Sequence, residues 1–307
     1  MTETVALRAR TGRNRRPVWE EPPTRIGQGL KAAFLGLLVL SVLFPLWVIL
    51  VTSLSSRETL AEAGGIVVIP RGIDTAAYET IFAGGAVTRA LWISTLVTVI
   101  GSALALTVTV LAAYGLSQPR SVGYRWLLIY FLVPFLVYPP LVPKYLVVTG
   151  LGLKDTIWAL ILPPAISVFN LVVVRGFFQA IPQELLDSAR VDGASHFRTL
   201  GQIVLPLSRA VIAVVGLFYA VSYWNVWFDA LLFIDRNDMY PIQRVLQSYL
   251  LAGQAPHTSG GSTGVSMPPT EAIKMAVVVL TVAPIVAVYP FIQRHFIKGV
   301  LIGAVKG

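Results

Sequence analysis

The chain has 307 residues, 55% of them hydrophobic and only 13% charged, and its mean hydropathy is +0.73. That composition, against about 25% charged residues in ordinary globular domains, excludes a pair of soluble domains and defines a membrane protein; its formal charge of +9 then belongs to loop topology rather than to nucleic acid. The absence of cysteine excludes disulfides, thiolate metal sites, iron–sulfur clusters and thiol nucleophiles, and His196, His257 and His295 show no metal-ligand spacing.

A helical crossing needs about 20 apolar residues, and six windows meet that need: 30–54, 88–117, 124–148, 156–179, 203–234 and 271–293. The first follows an Arg-rich stretch, Arg8 to Arg16, which raises a secretory or twin-arginine signal. Its apolar run is too long for either and no small-residue cleavage site follows it, so it reads as an uncleaved anchor. Pro134, Pro139, Pro140 and Pro143 interrupt the third window. Each removes a backbone donor that hydrocarbon cannot replace, which predicts a broken or bent helix facing protein or a water-filled path. Pro163 and Pro164 in the fourth window, and Pro284 and Pro290 in the sixth, repeat the pattern on a smaller scale.

Six crossings put both termini on one side. With the amino terminus inside, 16 basic residues flank the inner ends and 8 the outer ends. The positive-inside rule therefore assigns both termini and the 175–209 loop to the cytoplasm. The expected organisation is a basic tail over 1–29, a permease domain over 30–293 and a second cytoplasmic tail over 294–307. Outside lie 55–87, long enough for its own turns or helix, and 252–269, whose Gly, Ser and Pro content favours irregular backbone. That second loop holds Gly260-Gly261-Ser262-Thr263-Gly264, which satisfies G-x-S-x-G, with His257 nearby. The hydrolase elbow needs a strand before the serine and a helix after it, and neither is present, so a flexible loop is the better reading.

Between the fourth and fifth windows, residues 182–193 carry the punctuation of one short helix. Pro182 suits the first turn, Glu184 and Asp187 sit near the positive end of the dipole, and Gly193 can take the left-handed conformation that ends it. Leu185 and Ala189 lie four apart, widened by Leu186 and Ser188. On physics alone a surface helix at the lipid headgroups fits as well.

The stretch Asp187 to Pro206 resembles the signature of ABC-importer membrane subunits, E-A-A-x3-G-x9-I-x-L-P. Asp187, Ser188 and Ala189 stand in its first three places, Gly193 in the glycine position, and Ile203, Leu205 and Pro206 at its end. Spacing is kept throughout, while Asp replaces Glu and Ser replaces Ala. The pair Trp224-Asn225 and the ending Lys298 to Gly307 are similar to carbohydrate-importer permeases related to the smaller maltose-transporter membrane subunit. Phe218-Tyr219-Ala220-Val221 and Tyr289-Pro290-Phe291 look most like the complex-oligosaccharide branch.

The resemblance implies an all-α membrane protein with the six-span type I ABC importer permease fold and a cytoplasmic coupling helix at about 182–193. It implies import of sugars, with amino acids or peptides as the alternative cargo. Glu184, Asp187, Ala189, Asp192 and Gly193 would make or shape the contact with a cytoplasmic ATPase subunit, and the tail after His295 would reach between two such subunits. Partners would be a second permease subunit, two ATPase subunits and an external solute-binding protein, which loop 252–269 would meet. The chain has no G-x-x-x-x-G-K-[ST] motif. It is therefore expected to hold no cofactor and to catalyse nothing itself, with ATP and magnesium on partner subunits.

For the substrate path the fifth window offers Tyr223, Trp224, Asn225 and Trp227. Polar groups inside a span usually face the interior and aromatic rings stack on sugar faces. The same residues also suit an interfacial aromatic belt, with Asn225 satisfying broken backbone. Asp229, nearer the external end, is read as wet.

Overall fold

The computed structural model describes residues 24–118, 123–137, 140–252 and 270–304, and the chain divides into two compact units, one up to Val48 and one from Ile49. Helix α1 (Arg25–Ser53) opens with the Thr24 hydroxyl accepting the Gly27 N–H at 3.2 Å. Its 29 residues, a length of about 43 Å at 1.5 Å rise, suffice to cross a bilayer. Within the first unit its large apolar side chains, among them Phe34, Leu37 and Leu40, are exposed.

In the second unit, α2 (Arg57–Glu62) and α3 (Ala76–Gly84) form the 55–87 segment as small helices. The buried Thr52 hydroxyl both donates to the Val67 carbonyl (3.3 Å) and accepts the Val67 N–H (3.1 Å), which fixes this segment against the end of α1. Helix α4 (Ala86–Ser117) is the central element, packed against α8 (Val168–Gln179) and α12 (Arg209–Trp224). Val97, Ala105 and Leu116 of α4 share a core with Leu171 and Val174 of α8 and Val215 and Tyr219 of α12.

Between lipid-embedded helices there is little hydrophobic drive, so close packing and hydrogen bonds specify the contacts. The buried Tyr219 hydroxyl exchanges a hydrogen bond with Thr109 Oγ1 at 2.6 Å and accepts the Ser167 N–H at 3.0 Å, linking α12 to α4 and to the start of α8. Tyr223 donates to the Ile161 carbonyl at 2.8 Å, and its ring lies where a Cβ on Gly101 would fall, 2.7 Å away. Glycine at 101 is what lets α4 and α12 approach.

The expected third crossing is two helices, α5 (Tyr124–Leu136), which contains Pro134, and α6 (Leu141–Gly150), which contains Pro143 and is preceded by Pro140, so the break falls between the outer two of the four prolines. The fourth is likewise divided, into α7 (Trp158–Ile161) and α8, with Pro163 and Pro164 between them. At 12 residues α8 is too short to cross alone. The expected fifth crossing is sharply bent near its start. Helix α10 (His196–Thr199), a π-helical turn at Leu200–Val204 and α11 (Leu205–Leu207) form one segment that meets α12 at 86°. Residues 203–207 therefore do not continue the axis of α12; Pro206, without an N–H to continue the ladder, and Ser208, outside helical geometry, make the corner.

Helix α12 breaks at Asn225 and Val226, and α13 (Trp227–Phe233) follows. Helix α14 (Ile242–Ala252) falls between the fifth and sixth windows, where the sequence reading placed no helix; Ile242, Val245 and Tyr249, at helical spacing, bury it against a second core with Val87, Ala90, Ala276 and Val277. Helix α15 (Thr270–Ala304) continues through Pro284 and Pro290 and carries most of residues 294–307 as helix. Among the described residues three helices, α1, α4 and the Glu271–Val288 part of α15, are each long and apolar enough to cross, and two bent pairs, 124–150 and 196–224, raise that number to five where each pair counts as one crossing.

Candidate functional site

Helix α9 (Gln183–Val191) stands where residues 182–193 predict it, with Pro182 ahead of its first turn and Glu184 in that turn. Its end is closed by a Schellman pair: the Ala194 N–H donates to the Ala189 carbonyl at 2.9 Å and the Gly193 N–H to the Arg190 carbonyl at 3.0 Å. Gly193 takes φ +75°, a conformation that a side chain disfavours, so the glycine is required by the backbone itself.

The seated face differs from the one expected. Leu186 and Ala189 are buried, whereas Leu185 is turned outward. Ala189 thus rests on the body of the protein, where its small side chain permits close seating. Glu184, Asp187, Asp192 and Gly193 are exposed. Arg190 reaches in two directions, to Asp187 Oδ1 at 2.7 Å and to Gln118 Oε1 at 2.9 Å, which ties α9 to the end of α4. Arg175 donates from Nε to the Leu116 carbonyl at 3.0 Å and supports the same corner. These bonds make α9 continuous with the central helix rather than a free loop. Two apolar side chains close to the exposed acids in the chain, which the sequence reading missed, are also exposed, Val191 at 88% and Phe197 at 80%. Their signal was a bulky apolar residue on the otherwise polar side of a short amphipathic segment.

Of the fifth-window candidates, Tyr223 and Trp224 are core residues: Tyr223 is bonded as described, and Trp224 Nε1 donates to the Thr281 carbonyl of α15 at 3.2 Å. Their polar atoms are thus spent on main-chain carbonyls of neighbouring elements. Asn225 and Trp227 present surface. Asn225 sits at the break, donating to the Val221 carbonyl at 2.8 Å and accepting from Gln243 Nε2 at 3.1 Å; Trp227 meets Phe228 edge to face at 5.4 Å. Gln243, from the unforeseen α14, joins this polar cluster. Asp229 is not simply wet: it is 16% exposed and paired with Lys144 at 2.6 Å.

At the other end, Asp155 accepts the N–H groups of Asp235 (2.6 Å) and Arg236 (3.3 Å), closing the chain after α13. Asp235 beside Lys154 holds that ammonium above its ordinary pKa, and Arg236 beside Asp238 holds that carboxyl below its ordinary value. Residues 253–269, with Ser262 and His257, and residues 305–307 lie outside the described residues.

A bundle of unbroken and broken apolar helices, with an anchored amphipathic helix between two of them, defines a polytopic membrane component. Residues 105–302 match the family described as binding-protein-dependent transport system inner membrane component, and the chain belongs to that family. It is 40% identical over 274 residues to Protein LplC of Bacillus subtilis, covering 89% of this chain and 92% of that protein. It is 38% identical to the polygalacturonan/rhamnogalacturonan transport system permease protein YtcP of the same organism, covering 89% and 96%. A bacterial ABC transporter involved in import of the acidic polysaccharide alginate contains a chain of the same fold, with a TM-score of 0.83 and 26% identity; 92% of this chain and 100% of that one are covered.

Proposed function

We propose that this chain is a permease subunit of an ATP-driven, binding-protein-dependent importer of oligosaccharides, with six crossings, both termini in the cytoplasm and a translocation path shared with a second permease subunit. The observation that carries the reading is α9, an amphipathic helix closed by Gly193 and braced to α4 through Arg190 and Gln118. Sugar as cargo is supported by the transport named for YtcP and for the alginate importer.

Two ATPase subunits bind ATP and magnesium, and an external binding protein delivers the sugar. Glu184, Asp187, Asp192 and Gly193 form the outward contact of α9, and Ala189 seats it. When the ATPase pair closes, α9 moves with it as a rigid body, and the bonds to α4 pass that displacement into the packed helices. Asn225 and Trp227, at the break between α12 and α13, are the path residues: an amide for sugar hydroxyls and an aromatic face for the ring.

The test is purification from mildly solubilised membranes followed by ATPase assay with binding protein and candidate oligosaccharides. A second permease and an ATPase should co-purify, with hydrolysis stimulated by loaded binding protein. Gly193→Asp should leave the chain in the membrane and uncouple it. Normal co-purification and normal transport by that variant would overturn the role given to α9.

A further inference from the structure

A groove of about 440 Å³ runs along the start of α12, between that helix, the π-helical turn before it and α4. Its floor is small, formed by Gly201, Ala213 and Gly216; Leu106 and Ile212 make apolar walls, and Arg209 is the one charged residue lining it. Arg209 is exposed and makes no hydrogen bond or ion pair with any described residue. The elements around it offer no counterion: α4 contains no Asp or Glu, and neither does the chain from Gly193 to Phe228. Arg198, one turn ahead of Gly201, is also exposed and donates to the Gln202 amide at 3.1 Å rather than to a carboxylate.

We propose that this groove binds an anionic phospholipid, with the phosphate on Arg209 and an acyl chain laid along Ala213 and Gly216. Gly216 is seven residues beyond Arg209, so apolar lining reaches about 10 Å from the cation along the helix axis, a spacing that matches a headgroup and the upper part of its chain. An oligosaccharide does not suit this lining, which has no aromatic ring and no polar side chain besides the guanidinium. Uncompensated cations at a helix end near the cytoplasmic surface attract anionic headgroups. The leaflet that supplies the lipid follows from the orientation proposed above, whereas the headgroup preference does not depend on it.

The experiment is native mass spectrometry of the detergent-solubilised full chain, with its co-purifying subunits, titrated with phosphatidylglycerol or phosphatidylcholine. Phosphatidylglycerol should be retained over phosphatidylcholine by about fivefold, the scale of one cation at a membrane surface. Arg209→Gln should bring that ratio close to one, Arg209→Lys should keep it, and Ala213→Leu should lower retention of both lipids by filling the groove. A photo-crosslinking residue at 213 in intact membranes should label lipid. An unchanged ratio in Arg209→Gln, or labelling of another polypeptide from 213, overturns the proposal, and the second result makes the groove a protein interface. Either result leaves the α9 co-purification test intact.

Discussion

Lys144 Nζ donates to Asp229 Oδ1 at 2.6 Å, joining α6 to α13 across 85 residues of chain. Both side chains are largely covered, at 29% and 16% exposure, and the ammonium also lies 5.9 Å from the centroid of the Phe233 ring, which stacks on Tyr145. The pair fastens together helices that each follow a break, where no continuous backbone ladder can hold them.

Removing one partner should leave the other charge uncompensated. Asp229→Asn should destabilise the detergent-solubilised protein by about 2 kcal/mol, and the double replacement Lys144→Met with Asp229→Leu by much less. Thermal unfolding followed by tryptophan fluorescence tests this; additive losses in the double variant would show that the pair is not coupled.

Gly101 and Gly115 both lie on α4, but only at 101 would a Cβ meet a neighbour, the Tyr223 ring, which its bond to Ile161 prevents from turning aside. Gly101→Ala should cost about 1–3 kcal/mol through overpacking, whereas Gly115→Ala should be neutral or stabilising by up to about 1 kcal/mol. Equal melting temperatures for the two variants would contradict the close approach of α4 and α12.

Asp155 has φ +57°, and its carboxylate takes two N–H groups while its own N–H donates to the Phe233 carbonyl at 2.9 Å. Asn tolerates the left-handed region and keeps an acceptor oxygen, and Ala does neither. Asp155→Asn should be nearly neutral, with Asp155→Ala losing about 1–3 kcal/mol. Equal loss in both would mean that charge rather than geometry matters there.

Phe197, in α10 and five residues beyond Asp192, is 80% exposed. If it packs on the ATPase subunit as a hot spot does, Phe197→Ser should weaken retention of that subunit about tenfold or more while leaving the melting temperature of this chain unchanged. Pull-down with titrated ATPase reads the first quantity and calorimetry the second.

The turn at 235–239 should be insensitive to pH across the neutral range. Asp238, lowered by Arg236, contributes above its unfolded pKa and loses that contribution only as pH falls through the still lower folded value. Lys154, raised by Asp235, contributes below its unfolded pKa and loses it only as pH rises through the higher folded value. Hydrogen exchange of residues 234–240, corrected for intrinsic rate, should show no step between about pH 5 and pH 9.

Local chemistry made much of this legible in advance. Prolines marked the breaks that separate α5 from α6 and α7 from α8, and Pro182 with Gly193 bounded α9 to within a residue or two. What escaped depends on contacts distant in the chain. Nothing local tells that Ala189 faces inward and Leu185 outward, or that Tyr223 and Trp224 spend their polar atoms on Ile161 and Thr281. Residues 203–207 are apolar enough to begin a straight span, and nothing local shows the 86° corner that sets them off from α12. Helix α14 was hidden by its modest apolar content, although Ile242, Val245 and Tyr249 keep the helical period.

The two larger cores also set a timetable for biosynthesis. The first draws on residues from Val97 to Ile234 and can close as soon as α13 has left the ribosome. The second joins Val51 and Leu60 to Ala276 and Val277, and its buried Ser94 hydroxyl must wait for the Ile242 N–H, to which it bonds at 2.7 Å. Some of the earliest residues made are therefore among the last covered. At about 5–20 residues per second, several seconds of translation pass between the two closures. During that interval a nascent chain keeps this second core open to insertion factors and to membrane proteases.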